Sequence, residues 1–250
     1  MTARELFEEG QLGEAIREQR LVVGHHPEDL SARLLLCELL AFAGQFNAVI
    51  EQLKSFPPTD EAFQAYLDGW EEIVQADIAR QTGKPPAYLL DPPEYVGLAA
   101  AAIRQSNDEL MDQALESMSV MEGHIDGREF EGCRDSDDSL AGVLEFFADG
   151  ESIQVPWEHL RKCRLDAIEC LRDQLYRPST ITLIDGRVIE GFVPTNYVME
   201  ADAPEELRCG MGTDYGDDFG MRGIGAKLFL IGEEELTLAE FTQLELRPVR

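Results

Sequence analysis

The acidic run Asp135-Ser136-Asp137-Asp138 is where this 250-residue chain most invites chemistry. Clustered carboxylates hold hard cations, or share the acid and base roles of hydrolysis. A calcium-binding loop opened at Asp135 requires glycine at 140 and glutamate at 146, where Leu140 and Phe146 stand. A loop opened at Asp214 fails in the same way, with Phe219 at the glycine position. Carboxylates that close turns or cap helices account better for the run. The second candidate is glycine-rich, GMGTDYGDDFG at 210–220 and GIGAK at 223–227. A dinucleotide fingerprint begun at Gly210 needs glycine where Tyr215 stands. Gly220 and Gly225 have phosphate-loop spacing, but Ala226 precedes Lys227 and a strand pattern follows, not a helix start. These glycines read as bends in a compact sheet. His25, His26, His124 and His159 fall into no ligand spacing, and no nucleophile is paired with a base. No catalytic residue, metal or cofactor is therefore assigned from these motifs, which leaves open a catalytic site assembled from residues distant in sequence.

Composition narrows the partners. The chain carries 49 acidic against 21 basic residues, a formal net charge of −28. Such a surface repels phosphate backbones and anionic lipid, which argues against nucleic acid and membranes and favours a basic or amphipathic partner. The opening MTARELFEEG has no apolar core of a signal peptide. No apolar run approaches the roughly 20 residues of a bilayer span. Cys37, Cys133, Cys163, Cys170 and Cys209 form no C-x-x-C pair and are odd in number, a pattern of reduced thiols. A cytoplasmic location is the expectation.

The elements that must position any site come in two styles. In the first half, apolar spacing predicts helices over 3–24, broken at Gly10, and over 30–43, 47–55 and 61–83. An extended, proline-rich stretch (84–96) follows, then two helices within 97–121, the second capped by Ser106 or Asn107. GQLGEAI at 10–16 returns as GQFNAVI at 44–50, an offset of 34 residues. That is the period of tetratricopeptide helical hairpins, which stack because one hairpin cannot bury its apolar stripe alone. In that register Arg4, Phe7 and Glu8 correspond to Glu38, Ala41 and Phe42, and these six positions are expected to face a concave groove. An aromatic ring flanked by carboxylates there would suit an amphipathic helix bearing basic residues. The competing reading has Phe7 and Phe42 packing against each other.

After about residue 123 short β runs take over. Asp149-Gly150 and Asp185-Gly186 mark hairpins over 145–155 and 180–193, and 226–238 reads as a third. DAIECLRDQL (166–175) reads as a short helix. The expectation is α+β in two domains: helical, tetratricopeptide-like 1–122, and a small antiparallel, partly closed and barrel-like β-rich 123–250.

The order of motifs adds a further reading. GQLGEAI and HHPED are followed by DGREFEGCRDSDDSLAGVLEFFADGESIQVPW (126–157), LRDQLYRPSTITLIDGRVIEGFVPTNY (171–197), MGTDY (211–215) and GIGAKLFL (223–230). Together they resemble the ImpE/SciE/TagJ family of type VI secretion accessory proteins. The chain departs at Tyr215, where that family usually has Trp, at Gly223–Lys227, where it more often has G-x-G-Q-R, and at Gln154, where it has an aromatic residue. The resemblance implies a cytoplasmic, non-enzymatic adaptor. Its partner would be the N-terminal helical segment of the small sheath subunit, TssB, with a link to sheath disassembly by the ClpV unfoldase. Two alternatives stand beside it. One is a carboxylate- or metal-dependent hydrolase using Asp135, Asp137 or Asp138. The other is an assembly chaperone for a different complex.

Overall fold

The computed structural model describes residues 1–58, 60–199, 202–216 and 219–248. Asp217 and Asp218 of the glycine-rich stretch lie outside the described residues. The chain opens with α1 (Ala3–Glu8), α2 (Leu12–His25), α3 (Leu30–Phe42), α4 (Phe46–Lys54) and the long α5 (Glu61–Gln81). Side-chain caps start three of these five: a reciprocal Thr2/Glu5 box on α1, Asp29 on α3 and Asp60 on α5. The two repeated turns share one hydrogen-bond pattern. The Gln11 N–H donates to the Leu6 carbonyl and the Gln45 N–H to the Leu40 carbonyl, each at 2.9 Å. This six-residue closure needs a left-handed residue just past the helix, and Gly10 and Gly44 supply it with φ of 76° and 69°. The residues repeat because the turn repeats.

After α5 the segment 84–93 is irregular, with Ala87 bridging in parallel to Ile153 and bends at Leu89 and Leu90. Then come α6 (Glu94–Gln105) and α7 (Asp108–Glu116). The choice of cap settles on Asn107, whose Oδ1 accepts from the Leu110 N–H at 3.1 Å, while Ser106 ends α6 in a left-handed conformation.

The rest is largely antiparallel β-structure. Its first strands are β1 (Glu122–Ile125), β2 (Arg128–Glu131), β3 (Cys133–Asp135), β4 (Val143–Ala148), β5 (Glu151–Pro156) and β6 (Leu160–Leu165). A single-turn α8 (Arg172–Leu175), β7 (Tyr176–Leu183), β8 (Val188–Pro194) and a short α9 (Glu205–Arg208) follow. The chain finishes with β9 (Thr213–Gly216), β10 (Arg222–Gly225), β11 (Leu228–Ile231), β12 (Glu234–Thr237) and β13 (Gln243–Leu246). Eight strands form one sheet in the order β2-β1-β13-β6-β7-β8-β4-β5, with β12-β11-β3 and β10-β9 as smaller sheets. The fold is thus mixed α+β. The large sheet runs linearly from β2 to β5, and no barrel closure is seen among the described residues.

One sequence expectation needs correction. Of the helix expected over 166–175, only Arg172–Leu175 is helical. The Asp173 carboxylate accepts from the Glu169 and Cys170 N–H groups at 3.0 and 3.3 Å, which folds the residues before it into a turn. The segment then crosses from the sheet to the helices. Leu171, Leu175 and Tyr176 enter the same apolar core as Phe7, Leu36, Leu39, Phe42 and Trp70. A second core lies within the β-structure around Phe146, Trp157, Ile181 and Phe229.

Candidate functional site

The inner face of the helical hairpins is closed. Phe7, Ala41 and Phe42 are buried in the shared core, and the Phe7 and Phe42 rings meet edge-on with centroids 4.7 Å apart. Glu38 is buried as well; burial raises its carboxyl from the usual range, against the Arg172 backbone N–H and the Cys170 side chain that bond to it. Of the six positions expected to line an open groove, only Arg4 and Glu8 are exposed. The reason is the crossing segment around α8, which fills the concavity that stacked hairpins would otherwise present. The turn ends are covered too. The Glu205 carboxylate accepts from the Gly13 N–H at 3.0 Å, capping α2 where Gln11 offers no side-chain cap. Arg208 donates to the Ala43 carbonyl at 3.2 Å, past the end of α3. A Cβ on Gly10 would fall 2.8 Å from the Glu206 Cγ. The repeated glycine turns are therefore where α9 docks.

The acidic run is engaged internally. Asp137 Oδ1 accepts from the Ser139 N–H at 2.8 Å, and its Oδ2 accepts from the Gly223 N–H at 2.9 Å and Arg222 Nε at 3.2 Å. Asp138 accepts from the Met221 N–H at 2.9 Å and from Arg134. Asp135 Oδ1 accepts from the Tyr197 hydroxyl at 2.6 Å and the Asp137 N–H at 2.9 Å. No group of three or more potential metal ligands occurs among the described residues. These carboxylates tie the glycine-rich β9–β10 hairpin to the sheet. Gly223 is required there, because a Cβ would sit 2.3 Å from the Tyr197 ring.

Asp135 also ends a buried chain of charges. Lys227 Nζ lies 2.6 Å from Glu145 Oε2 and 3.6 Å from Asp135 Oδ2. Arg80 reaches the same Glu145 oxygen at 3.1 Å and Asp77 at 2.9 Å, and the Tyr176 hydroxyl donates to Asp77 at 2.7 Å. Burial alone would raise Glu145, but Lys227 and Arg80 hold it down at about 2. Burial carries Asp135 up to about 6 against Lys227 and Tyr197, and its Oδ2 has no hydrogen-bond partner. Three carboxylates thus face two cations, and α5 is fastened to the sheet from inside. Sequence reasoning missed Arg80, Glu145, Tyr197 and Lys227. Burial pushes the five thiols up, Cys170 to about 11 and Cys37 to about 12, so none is an activated nucleophile.

Two of the clefts that open to solvent combine aromatic or apolar walls with charged side chains. The first, about 360 Å³, lies on the seam between α5, the β4–β5 turn and β8. Its walls carry Tyr66, Phe147 and Phe192, with Arg172 stacked 4.9 Å from the Tyr66 centroid and 5.7 Å from that of Phe192. Exposed Glu72, Asp149 and Glu190 line its edge. The second, about 460 Å³, lies between α6 and the segment after α5, and four of its lining residues are cationic.

Comparison with known proteins converges on one group. A family model described as ImpE protein matches residues 127–245, the stretch that supplies Asp135, Glu145, Tyr197 and Lys227. The type VI secretion system accessory component TagJ of Pseudomonas aeruginosa is 24% identical over 260 aligned residues. That alignment covers 99% of this chain and 92% of the relative. Both matches support the ImpE/SciE/TagJ family, the family model over residues 127–245 and the relative over nearly the whole chain. The fold of this chain is that of the X-ray crystal structure of protein VPA1032 from Vibrio parahaemolyticus. The two agree with a TM-score of 0.85 at 24% identity, over 98% of this chain and 97% of the other.

Proposed function

We propose that this chain is a non-enzymatic, cytoplasmic accessory protein of a type VI secretion system. In this reading it binds the N-terminal helical segment of the small sheath subunit (TssB) and acts on ClpV-linked sheath disassembly only indirectly. The supporting observation is the near-complete alignment with a relative named as such an accessory component, rather than a match to one portable segment. No helix among the described residues is long and apolar enough to cross a membrane. The carboxylates that would serve a hydrolase are instead engaged with Tyr197, Arg222, Arg134 and backbone N–H groups.

The docking surface we assign differs from the inner groove. An aromatic ring flanked by carboxylates was the chemistry expected there. It recurs on the seam, where Tyr66 and Phe192 are edged by Glu72, Asp149 and Glu190. An amphipathic helix can set an apolar residue into that cleft and its lysines or arginines against the edge. Arg4 and Glu8, the two exposed members of the original set, serve as the rival site. Titration calorimetry with a synthetic peptide of the sheath subunit's N-terminal segment tests both. The intact protein should bind, the Glu72→Lys/Glu190→Lys variant should bind at least tenfold more weakly, and Arg4→Glu/Glu8→Lys should change affinity less. Absence of binding to the intact protein would overturn the partner. Equal binding by the seam variant would overturn the surface and spare the partner.

A further inference from the structure

The second cleft runs against the overall charge of the molecule. In a chain of net charge −28, its lining brings together Arg80, Lys84, Arg104 and Arg222. Two of these cations are already committed, Arg80 to Asp77 and Glu145 and Arg222 to Asp137. The acidic members of the lining, Asp137 and Glu145, are matched by those same cations and by Lys227. Lys84 and Arg104 are different. Both are exposed, and neither side chain has an ion pair or hydrogen bond among the described residues. They stand on different elements, Lys84 just beyond α5 and Arg104 in the last turn of α6. One wall of the cleft is apolar: Val96, Ala100 and Ile103 share a face of α6, and Ile103 and Val198 are among the large apolar side chains left open to solvent. Two unpaired cations beside an open apolar wall is an arrangement that folding alone does not require.

We propose that this cleft binds an acidic chain segment of another protein, with carboxylates on either side of an apolar side chain. The carboxylates would pair with Lys84 and Arg104, and the apolar side chain would lie against Ile103 and Val198. The size fits, since clefts of a few hundred Å³ hold several side chains. Repulsion from the acidic surface elsewhere does not forbid it: at physiological salt charges are screened beyond roughly 8 Å, so the local cations decide. The assignment is independent of the sheath-binding reading, which places a basic partner in the other cleft.

Fluorescence anisotropy of a labelled Glu-Leu-Glu-Leu-Glu-Leu peptide against the full chain tests the proposal, with Gln-Leu-Gln-Leu-Gln-Leu as the neutral control. The acidic probe should bind more tightly than the neutral one at low salt and weaken as salt rises. The Lys84→Glu/Arg104→Glu variant should lose at least tenfold in affinity while unfolding at the same temperature, because both side chains are exposed. A charge-matched Arg17→Glu/Arg161→Glu variant, altered at exposed positions outside the cleft, should lose no more than twofold. Equal losses in the two variants would reduce the effect to net charge and overturn the site. Failure of the intact protein to prefer the acidic probe would overturn it as well.

Discussion

Replacing Lys227 by methionine should destabilise the protein by about 3–5 kcal/mol, the cost of removing one partner from a buried ion pair. Lys227 is 1% exposed and stands between two buried carboxylates, 2.6 Å from Glu145 and 3.6 Å from Asp135, with the Tyr197 ring centroid 5.1 Å away. Methionine keeps the length and apolar stem of the side chain, so packing is disturbed little. What is lost is compensation. Glu145 keeps Arg80, but Asp135 Oδ2 is left without any cation. Urea unfolding monitored by fluorescence gives the measurement. The double variant Lys227→Met/Asp135→Asn should recover part of the loss, since it removes the carboxylate left without a cation. A Lys227→Met protein as stable as the parent would remove the internal fastening between α5 and the sheet from the account.

The pH dependence of stability should carry the signature of Asp135. Its pKa rises from 3.8 to about 6 in the folded chain, chiefly through burial. Between those values the folded state binds more protons than the unfolded one, so this residue's contribution weakens stability as pH rises from 4 to above 6. At about 1.4 kcal/mol per pKa unit, the full effect is on the order of 3 kcal/mol. Glu145 has the opposite sign, its folded pKa of about 2 lying below 4.5. Its stabilisation is present above 4.5 and fades as pH falls towards 2, which separates the two windows. Relative to Asp135→Asn, the parent should therefore lose about 2 kcal/mol between pH 4 and pH 7. Parallel stability profiles for the two proteins would contradict the assignment.

What could be read in advance was local. The turns at Gly10 and Gly44 and the hairpins at Asp149-Gly150 and Asp185-Gly186 declare themselves because a few adjacent residues determine the backbone. The competing reading, Phe7 packing against Phe42, is the one the structure bears out, but nothing in the helical repeats announces that Leu171, Leu175 and Tyr176 will arrive from more than 120 residues downstream to fill their inner face. The short helix expected over 166–175 failed for the same reason: the stretch satisfies the core of another region, and Asp173 turns its own backbone. Arg80 and Glu145 are 65 residues apart and in different secondary structures, so no spacing rule joins them. A weaker signal did exist. Glu145 in VLEFFA and Lys227 in AKLFLI are lone charges within apolar runs, and such residues are seldom buried without a partner of opposite sign.

The chain closes its own helical furrow, and we propose that it offers the seam between α5 and the sheet to the sheath subunit instead. Hydrogen–deuterium exchange of the full chain, with and without the sheath subunit's N-terminal peptide, tests it most directly. Exchange should slow on peptide binding at 147–150, 190–192 and the facing turns of α5 around 65–73, with α1 and α3 unchanged. Protection confined to α1 and α3, with the seam segments exchanging as before, would contradict it.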